Sequence, residues 1–309
     1  MKSLLKGCLT LLLIIAAAGL TSCVAKDENN IGDDKNNQNI DLPTEENGYI
    51  VKVVPGETAI IDLNGDGEDE IINYTLMSAA NDNNGNYTVK NLSISGEEYA
   101  RASDDNPLIY LGASIYYPDD QWYFIVDIDT SDDYKELAIA DIGASEDLTT
   151  SYFRYDGEGL EYIGYITGFP ADETYSMDGK GTIKSQGRLD LLQYWTTVFA
   201  WELSSEGKLA TVEEDLYTPI SYDYYDKEPV ILKEEITAYA EMDLNSKEIL
   251  MEPSEEEISF PLTDNKNWVL MSKADGTQGW IYIEDRQNII SANKKLPCTD
   301  VFDNLYFAD

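Results

Sequence analysis

Short apolar runs broken by turn residues recur from Gly48 to about Tyr225. Gly48-Tyr-Ile-Val-Lys-Val-Val54, Tyr87-Thr-Val-Lys-Asn-Leu-Ser-Ile94 and Trp122-Tyr-Phe-Ile-Val126 read as strands. Turn chemistry falls between such runs at Asn84-Gly85, Ser95-Gly96, Asp156-Gly157, Asp178-Gly179 and Glu206-Gly207. The abundance of Tyr and β-branched residues suits pleated, half-buried surfaces. Helical periodicity is nearly absent, and Gln186 to Thr197 is the best candidate for one short helix. The expected class is all-β.

From residue 226 the pattern changes. Pro229-Val-Ile-Leu-Lys-Glu-Glu-Ile-Thr-Ala-Tyr239 is followed by Glu257 to Met271, a strand, a polar run and a Trp-bearing strand, and then by Gly276-Thr-Gln-Gly-Trp-Ile-Tyr-Ile283. This order, with Gly279-Trp280 in the last strand, resembles a bacterial Src-homology-3-like β-barrel over roughly residues 228 to 286. The resemblance implies a small barrel that binds peptidoglycan or peptides in an aromatic-lined groove. Trp280 opens the alternation Trp-Ile-Tyr-Ile and is expected in the core. Trp268 follows the polar run Thr263-Asp-Asn-Lys-Asn267 and is the candidate for a ligand groove. The segment Val301 to Phe307 is apolar enough to pack back on the folded part.

The N-terminal residues read as a targeting signal. Lys2 and Lys6 precede the apolar stretch Leu9 to Ala18, and Leu20-Thr-Ser-Cys23 closes it. This ending resembles the lipobox of bacterial lipoproteins, which implies cleavage before Cys23 and lipid on its sulfur. Residues 1–22 are then the leader and 23–47 a lipidated, acidic and flexible tether with almost nothing to bury. A β domain over 48–225 follows, then a barrel with a C-terminal extension over 226–309. The expected place is the cell envelope, outside the cytoplasm, held to the membrane by lipid.

Charge narrows the partners. The chain has 21 Lys and Arg against 59 Asp and Glu, a formal net charge of −38. Such a field repels nucleic acid and attracts cations. There is no histidine, and Cys8 leaves with the leader while Cys23 carries lipid, so only Cys298 remains as an inert thiol. Catalysis would rest on carboxylate pairs, as in glycoside hydrolysis, and an acid-rich sequence singles out no pair. The leading expectation is a non-catalytic binding or adhesion lipoprotein contacting cell wall, peptide or glycan. A carboxylate hydrolase and a purely structural envelope lipoprotein are the alternatives.

The stretch Asp62-Leu-Asn-Gly-Asp-Gly-Glu-Asp-Glu70 places oxygens at alternate positions, with Gly67 sixth, where a tight cation loop must turn. Ile60-Ile61 and Ile71-Ile72 flank it as strands, and position twelve is Asn73, so it is no EF-hand. A second stretch offers Asp127, Asp129, Ser131, Asp133 and Glu136 before the strand Leu137-Ala-Ile-Ala140. It is one residue longer and lacks the glycine, so a second metal site and a solvated acidic turn are both open. The first stretch resembles the calcium loop of integrin-like repeats of the FG-GAP and VCBS group, which form propeller blades. That resemblance implies a propeller-like domain over 48–225 and bound Ca²⁺. Asp62, Asn64 and Asp66 would give side-chain oxygens, Glu68 its carbonyl, and Glu70 the closing carboxylate, where the family usually has Asp.

Replacement of Cys23 by Ser is expected to leave the protein unprocessed or release it from the membrane fraction. Metabolic lipid labelling with fractionation checks this, and a variant that stays labelled and membrane-bound contradicts it.

Overall fold

The structure, a computed structural model, describes residues 50–54, 56–78, 87–101, 123–142, 148–170, 173–191, 195–221 and 228–305. The leader, Cys23, the tether, Trp122 and the turn Asn84-Gly85 lie outside these residues. Strand β1 (Ile50–Val53) enters first. β2 (Thr58–Ile61), β3 (Glu70–Ser78), β4 (Tyr87–Ile94) and β5 (Glu97–Arg101) then pair in sequence as a four-stranded antiparallel sheet. β1 skips that sheet and pairs with β6 (Tyr123–Val126), which opens a second sheet with β7 (Glu136–Ile142), β8 (Leu148–Tyr155) and β9 (Leu160–Thr167). A third sheet joins β10 (Ser176–Met177), β11 (Thr182–Arg188), β12 (Trp195–Leu203) and β13 (Leu209–Val212), with β14 (Ile220–Ser221) on the other end of β12.

Side-chain alternation decides how these sheets meet. Val51, Tyr123, Ile125, Leu137, Ile139 and Phe153 leave one face of the second sheet and pack on Ala59, Ile61, Ile72, Tyr74 and Leu92 of the first. Phe124, Val126, Ala138, Tyr152 and Ile166 leave its other face and pack with Ile183 and Trp201 of the third. The second sheet is therefore a middle layer. Its strand β6 is buried at all four positions, which is why Tyr-Phe-Ile-Val reads as a continuous apolar run.

The C-terminal part comprises β15 (Ile231–Leu232), β16 (Ile236–Tyr239), β17 (Glu248–Met251), β18 (Ile258–Thr263), β19 (Trp268–Lys273), β20 (Gln278–Glu284), β21 (Asn288–Ser291) and β22 (Lys294–Pro297). A single helical turn, α1 (Cys298–Val301), leads to β23 (Phe302–Asp303), which returns to β15. β16 to β22 form a seven-stranded sheet in the order β17-β16-β20-β19-β18, with β21 on β20 and β22 on β21. The expected closed barrel is not found: among the described residues this sheet stays open, and its core is capped by Val301, Phe302 and Leu305. Cys298 lies in that core, and burial pushes its thiol up to about 12. Hydrogen bonds cross from the third sheet to this part, Tyr217 N–H to Thr263 O at 2.7 Å and the reverse pair at 3.0 Å. The described residues accordingly fall in one compact unit.

Two expectations are corrected here. Gln186 to Thr197 is no helix, because its ends belong to β11 and β12, which pair with Gln186 opposite Val198. Ser185, Thr196 and Thr197 are buried between layers, and that pairing outweighs the helix-forming composition of the stretch. Trp280 does not face the core. On β20 the inward positions are Gly279, Ile281 and Ile283, while Trp280 and Tyr282 are half-buried on the opposite face. Gly279 is inward because β16 and β17 press on it: a Cβ there would lie 2.7 Å from Ala238 Cβ and 2.9 Å from Met251 Cε.

Gly279→Ala is therefore expected to cost about 1–3 kcal/mol by overpacking. Trp280→Ala should cost less than the roughly 3–5 kcal/mol of a fully buried Trp. Urea denaturation of the two variants checks both, and a Trp280→Ala cost in the full range of about 3–5 kcal/mol would return Trp280 to the core.

Candidate functional site

The first acidic stretch is the connection between β2 and β3. Asp62 accepts the N–H of Gly65 at 2.7 Å and of Gly67 at 2.9 Å, one on each carboxylate oxygen. Asn64 Oδ1 accepts Asp66 N–H at 3.0 Å, and Asp66 Oδ1 accepts Glu68 N–H at 2.8 Å. These nested side-chain-to-backbone turns wind the loop tightly. Gly67 has φ 88°, the left-handed value expected at the sharp turn. Glu70, the first residue of β3, is buried, and its Oε2 accepts Leu63 N–H at 2.7 Å. Burial raises its pKa, and the nearby charges of Asp66 and Asp62 add to the rise against the Leu63 hydrogen bond. No ion pair is recorded for Asp62, Asp66 or Glu70 among the described residues.

The second stretch, between β6 and β7, repeats the design. Glu70 pairs in register with Ile61, the last residue of β2, and Glu136 pairs likewise with Val126, the last of β6. Glu136 Oε2 accepts Ile128 N–H at 3.2 Å, and Ile128, like Leu63, is wholly buried. Here, however, the charge is answered. Arg154 stands opposite Glu136 in the β7–β8 register and donates Nε–H to Glu136 Oε1 at 3.0 Å, with Nη2 on the same oxygen. Nη2 also reaches Asp132 Oδ2 at 3.1 Å, and the guanidinium lies 4.5 Å from the Tyr134 ring centre. Burial drives the Glu136 pKa up to about 7 against the pull of Arg154.

The two loops touch. Lys135 N–H donates to Leu63 O at 2.9 Å, and Gly65 lies so close to Asp133 that any Cβ there would collide with it. The β10–β11 turn continues the row: Gly181 N–H donates to Ile128 O at 2.9 Å and Thr130 N–H to Gly179 O at 3.0 Å.

Asp62, Asn64, Asp66, Glu68 and Glu70 thus share one loop, with Glu68 exposed and Glu70 turned inward. The second set is divided. Glu136 is held by Arg154, Asp129 accepts Ser131 N–H at 3.0 Å and Ser131 Oγ–H at 2.7 Å, Asp133 faces the first loop, and Asp127 encloses one oxygen without a hydrogen-bond partner. Among the described residues no three acidic or thiol side chains converge closely enough, as they stand, to form a metal cluster.

Trp268 is half-buried between Tyr239 and Tyr282, with ring centres 5.9 and 5.0 Å away. A cleft of about 790 Å³ lies elsewhere, along β9 and β13 and under the Asp264–Lys266 turn, and Trp268 is not among its walls. Sequence reasoning missed both Arg154 and the tyrosines of this cleft. The available signal for Arg154 was a cation set between Phe153 and Tyr155, two apolar strand positions of an acid-rich chain. Compared with known protein families, curated proteins and solved structures, the chain matches none, so none of the three resemblances gains a matching relative.

Arg154→Met should leave Glu136 as an uncompensated buried carboxylate. The folded pKa of Glu136 already exceeds its ordinary 4.5, so the native state holds more protons and stability falls as pH rises from 4.5 through about 7. Without Arg154 that window extends upward. The expected cost is about 3–5 kcal/mol at pH 8 and clearly less at pH 5. Urea denaturation at both pH values checks it, and Glu136→Gln in the same chain should recover part of the loss.

Proposed function

We propose that this chain is an envelope lipoprotein anchored at Cys23, whose calcium-stiffened β scaffold serves as a non-catalytic binding or adhesion module. The observation that carries the calcium reading is the contrast between the two loops. Both bury a glutamate under an acidic turn; Arg154 answers it in one, and among the described residues no cation pairs with Asp62, Asp66 or Glu70 in the other. Hard oxygen donors at alternate positions are the ligand chemistry of Ca²⁺. The side chains of Asp62, Asn64 and Asp66, the carbonyl of Glu68 and the carboxylate of Glu70 would hold the ion. Bound Ca²⁺ supplies positive charge and stiffness there.

The stack of three antiparallel sheets, each with a turn linking its equivalent strands and each turn touching the next, supports a propeller-like arrangement. The Src-homology-3-like reading of the C-terminal sheet rests on the strand, turn and Gly279-Trp280 order alone. A non-catalytic role is supported by where the acids are engaged. Glu70 and Glu136 serve their own turns, Asp264 caps a turn by accepting three backbone N–H groups, and Asp190 pairs with Arg286 at 2.8 Å. The membrane, through the lipid, and cell wall, peptide or glycan are the partners of this reading, and the charge of −38 argues against nucleic acid.

Calcium should raise the melting temperature of chelator-stripped protein. At free Ca²⁺ of about a hundred times the dissociation constant the gain is about 2.7 kcal/mol. Asp66→Ala should abolish it and leave the apo melt nearly unchanged. Identical melts with and without Ca²⁺ in the unsubstituted protein would overturn the calcium reading.

A further inference from the structure

We infer that the cleft along β9 and β13 is a binding site for a neutral saccharide. The inference rests on the binding-module reading and names its ligand class. It starts from a bulge. Tyr152 pairs with Gly164 and Phe153 with Tyr162, so Ile163 is the extra residue between them. Ser151 and Phe153 lie two apart on β8 and share a face; their partners Tyr165 and Tyr162 therefore share it too. In a regular strand, residues 162 and 165 would point to opposite faces. The bulge brings both tyrosines to one side, 40% and 59% exposed, on the wall of a cleft of about 790 Å³. That volume is in the range of ligand sites, roughly 300–1,000 Å³. Phe199, Trp201 and Tyr217 border the cleft from the side of the third sheet, with the Phe199 and Tyr217 ring centres 5.3 Å apart.

The polar part of the lining selects the ligand. Arg188, Lys208 and Lys266 face Asp190, Glu213 and Asp264, a balanced set in a protein of charge −38. Lys208 is held by Glu161 at 2.6 Å and by the Tyr162 carbonyl at 2.6 Å, and Lys266 lies 3.6 Å from Glu213. Lys208 and Lys266 are thus engaged with the protein's own acceptors, and the balanced lining attracts neither an anion nor a cation strongly. A neutral ligand with an apolar face and a rim of hydroxyls fits both the tyrosine pair and the paired charges, and a sugar ring has that form. An extended peptide would need the edge of β9, the last strand of its sheet. Part of that edge is already taken, because Lys208 Nζ holds the Tyr162 carbonyl of β9 at 2.6 Å.

The test uses the full-length protein in a detergent without a sugar headgroup. Cellohexaose, maltohexaose, mannohexaose and chitohexaose are the probes, titrated by calorimetry. At least one should bind. Tyr165→Ala should weaken it about tenfold or more without moving the melting temperature, while Tyr165→Phe keeps most of the affinity because stacking survives. No binding by any of the four at millimolar concentration overturns the inference, as does equal affinity in Tyr165→Ala. A calcium-dependent melt in the same sample shows that such a failure belongs to the cleft and not to the scaffold reading. Release of shortened oligosaccharides would uphold the cleft as a sugar site and overturn the non-catalytic reading instead.

Discussion

One hydrogen bond organises the layered part of this protein: the N–H that follows the first aspartate of each acidic loop, donated to a glutamate at the start of the next strand. Leu63 and Glu70 make it in one hairpin, Ile128 and Glu136 in the other. A carboxylate under a turn is costly unless its oxygens are engaged, and the bond engages one of them. It also fixes the residue that donates. Leu63 and Ile128 are thereby held with their side chains in the core and their carbonyls turned sideways. Each carbonyl accepts an N–H from the following layer, from Lys135 and from Gly181. The same short turn thus shapes the hairpin and sets the register between layers. The second oxygen of the glutamate is where the hairpins diverge, since Arg154 takes it in the middle sheet alone.

The cleft has a comparable origin in a local irregularity. Ile163 interrupts the pairing of β8 and β9, so Ile163 and Ile166 can serve the core while Tyr162 and Tyr165 both remain outside it. Asn265 Oδ1 accepts the N–H groups of Asp190 and Leu191 at 2.6 and 3.2 Å, tying the C-terminal sheet to the third sheet at the cleft. The cleft therefore lies where three sheets meet, with strand residues of β9, β12 and β13 on its walls and the Asp264–Lys266 turn over it.

Much of the fold was legible because strands and turns carry local chemistry. Tyr87 to Ile94 is a strand over its whole expected length, and turns stand at Ser95-Gly96, Asp156-Gly157, Asp178-Gly179 and Glu206-Gly207 between paired strands. Parity was harder to read. In Gly279-Trp-Ile-Tyr-Ile283 both alternations offer apolar residues, and a one-residue shift exchanges the faces. The choice fell to Gly279 because β16 leaves no room for a side chain. Gln186 to Thr197 failed for the opposite reason, since its composition favours a helix and only the pairing of β11 with β12 makes it two strands. Arg154 was illegible as a loop residue because its partners are 18 and 22 positions away and meet it only across the sheet.

The path of β1 has a mechanical consequence. The first described strand does not join the sheet that follows it in sequence; it crosses to the edge of the middle layer, with Ile50 opposite Val126 and Val53 opposite Tyr123. Tension on the N-terminal segment therefore enters the fold through a ladder of four residue pairs attached to its most enclosed sheet. An outer sheet loaded in this way could peel off alone. Here, loss of β1 would uncover Val51 and Val53 of the core shared by the first two layers, so traction at this end sets the first sheet against the middle one.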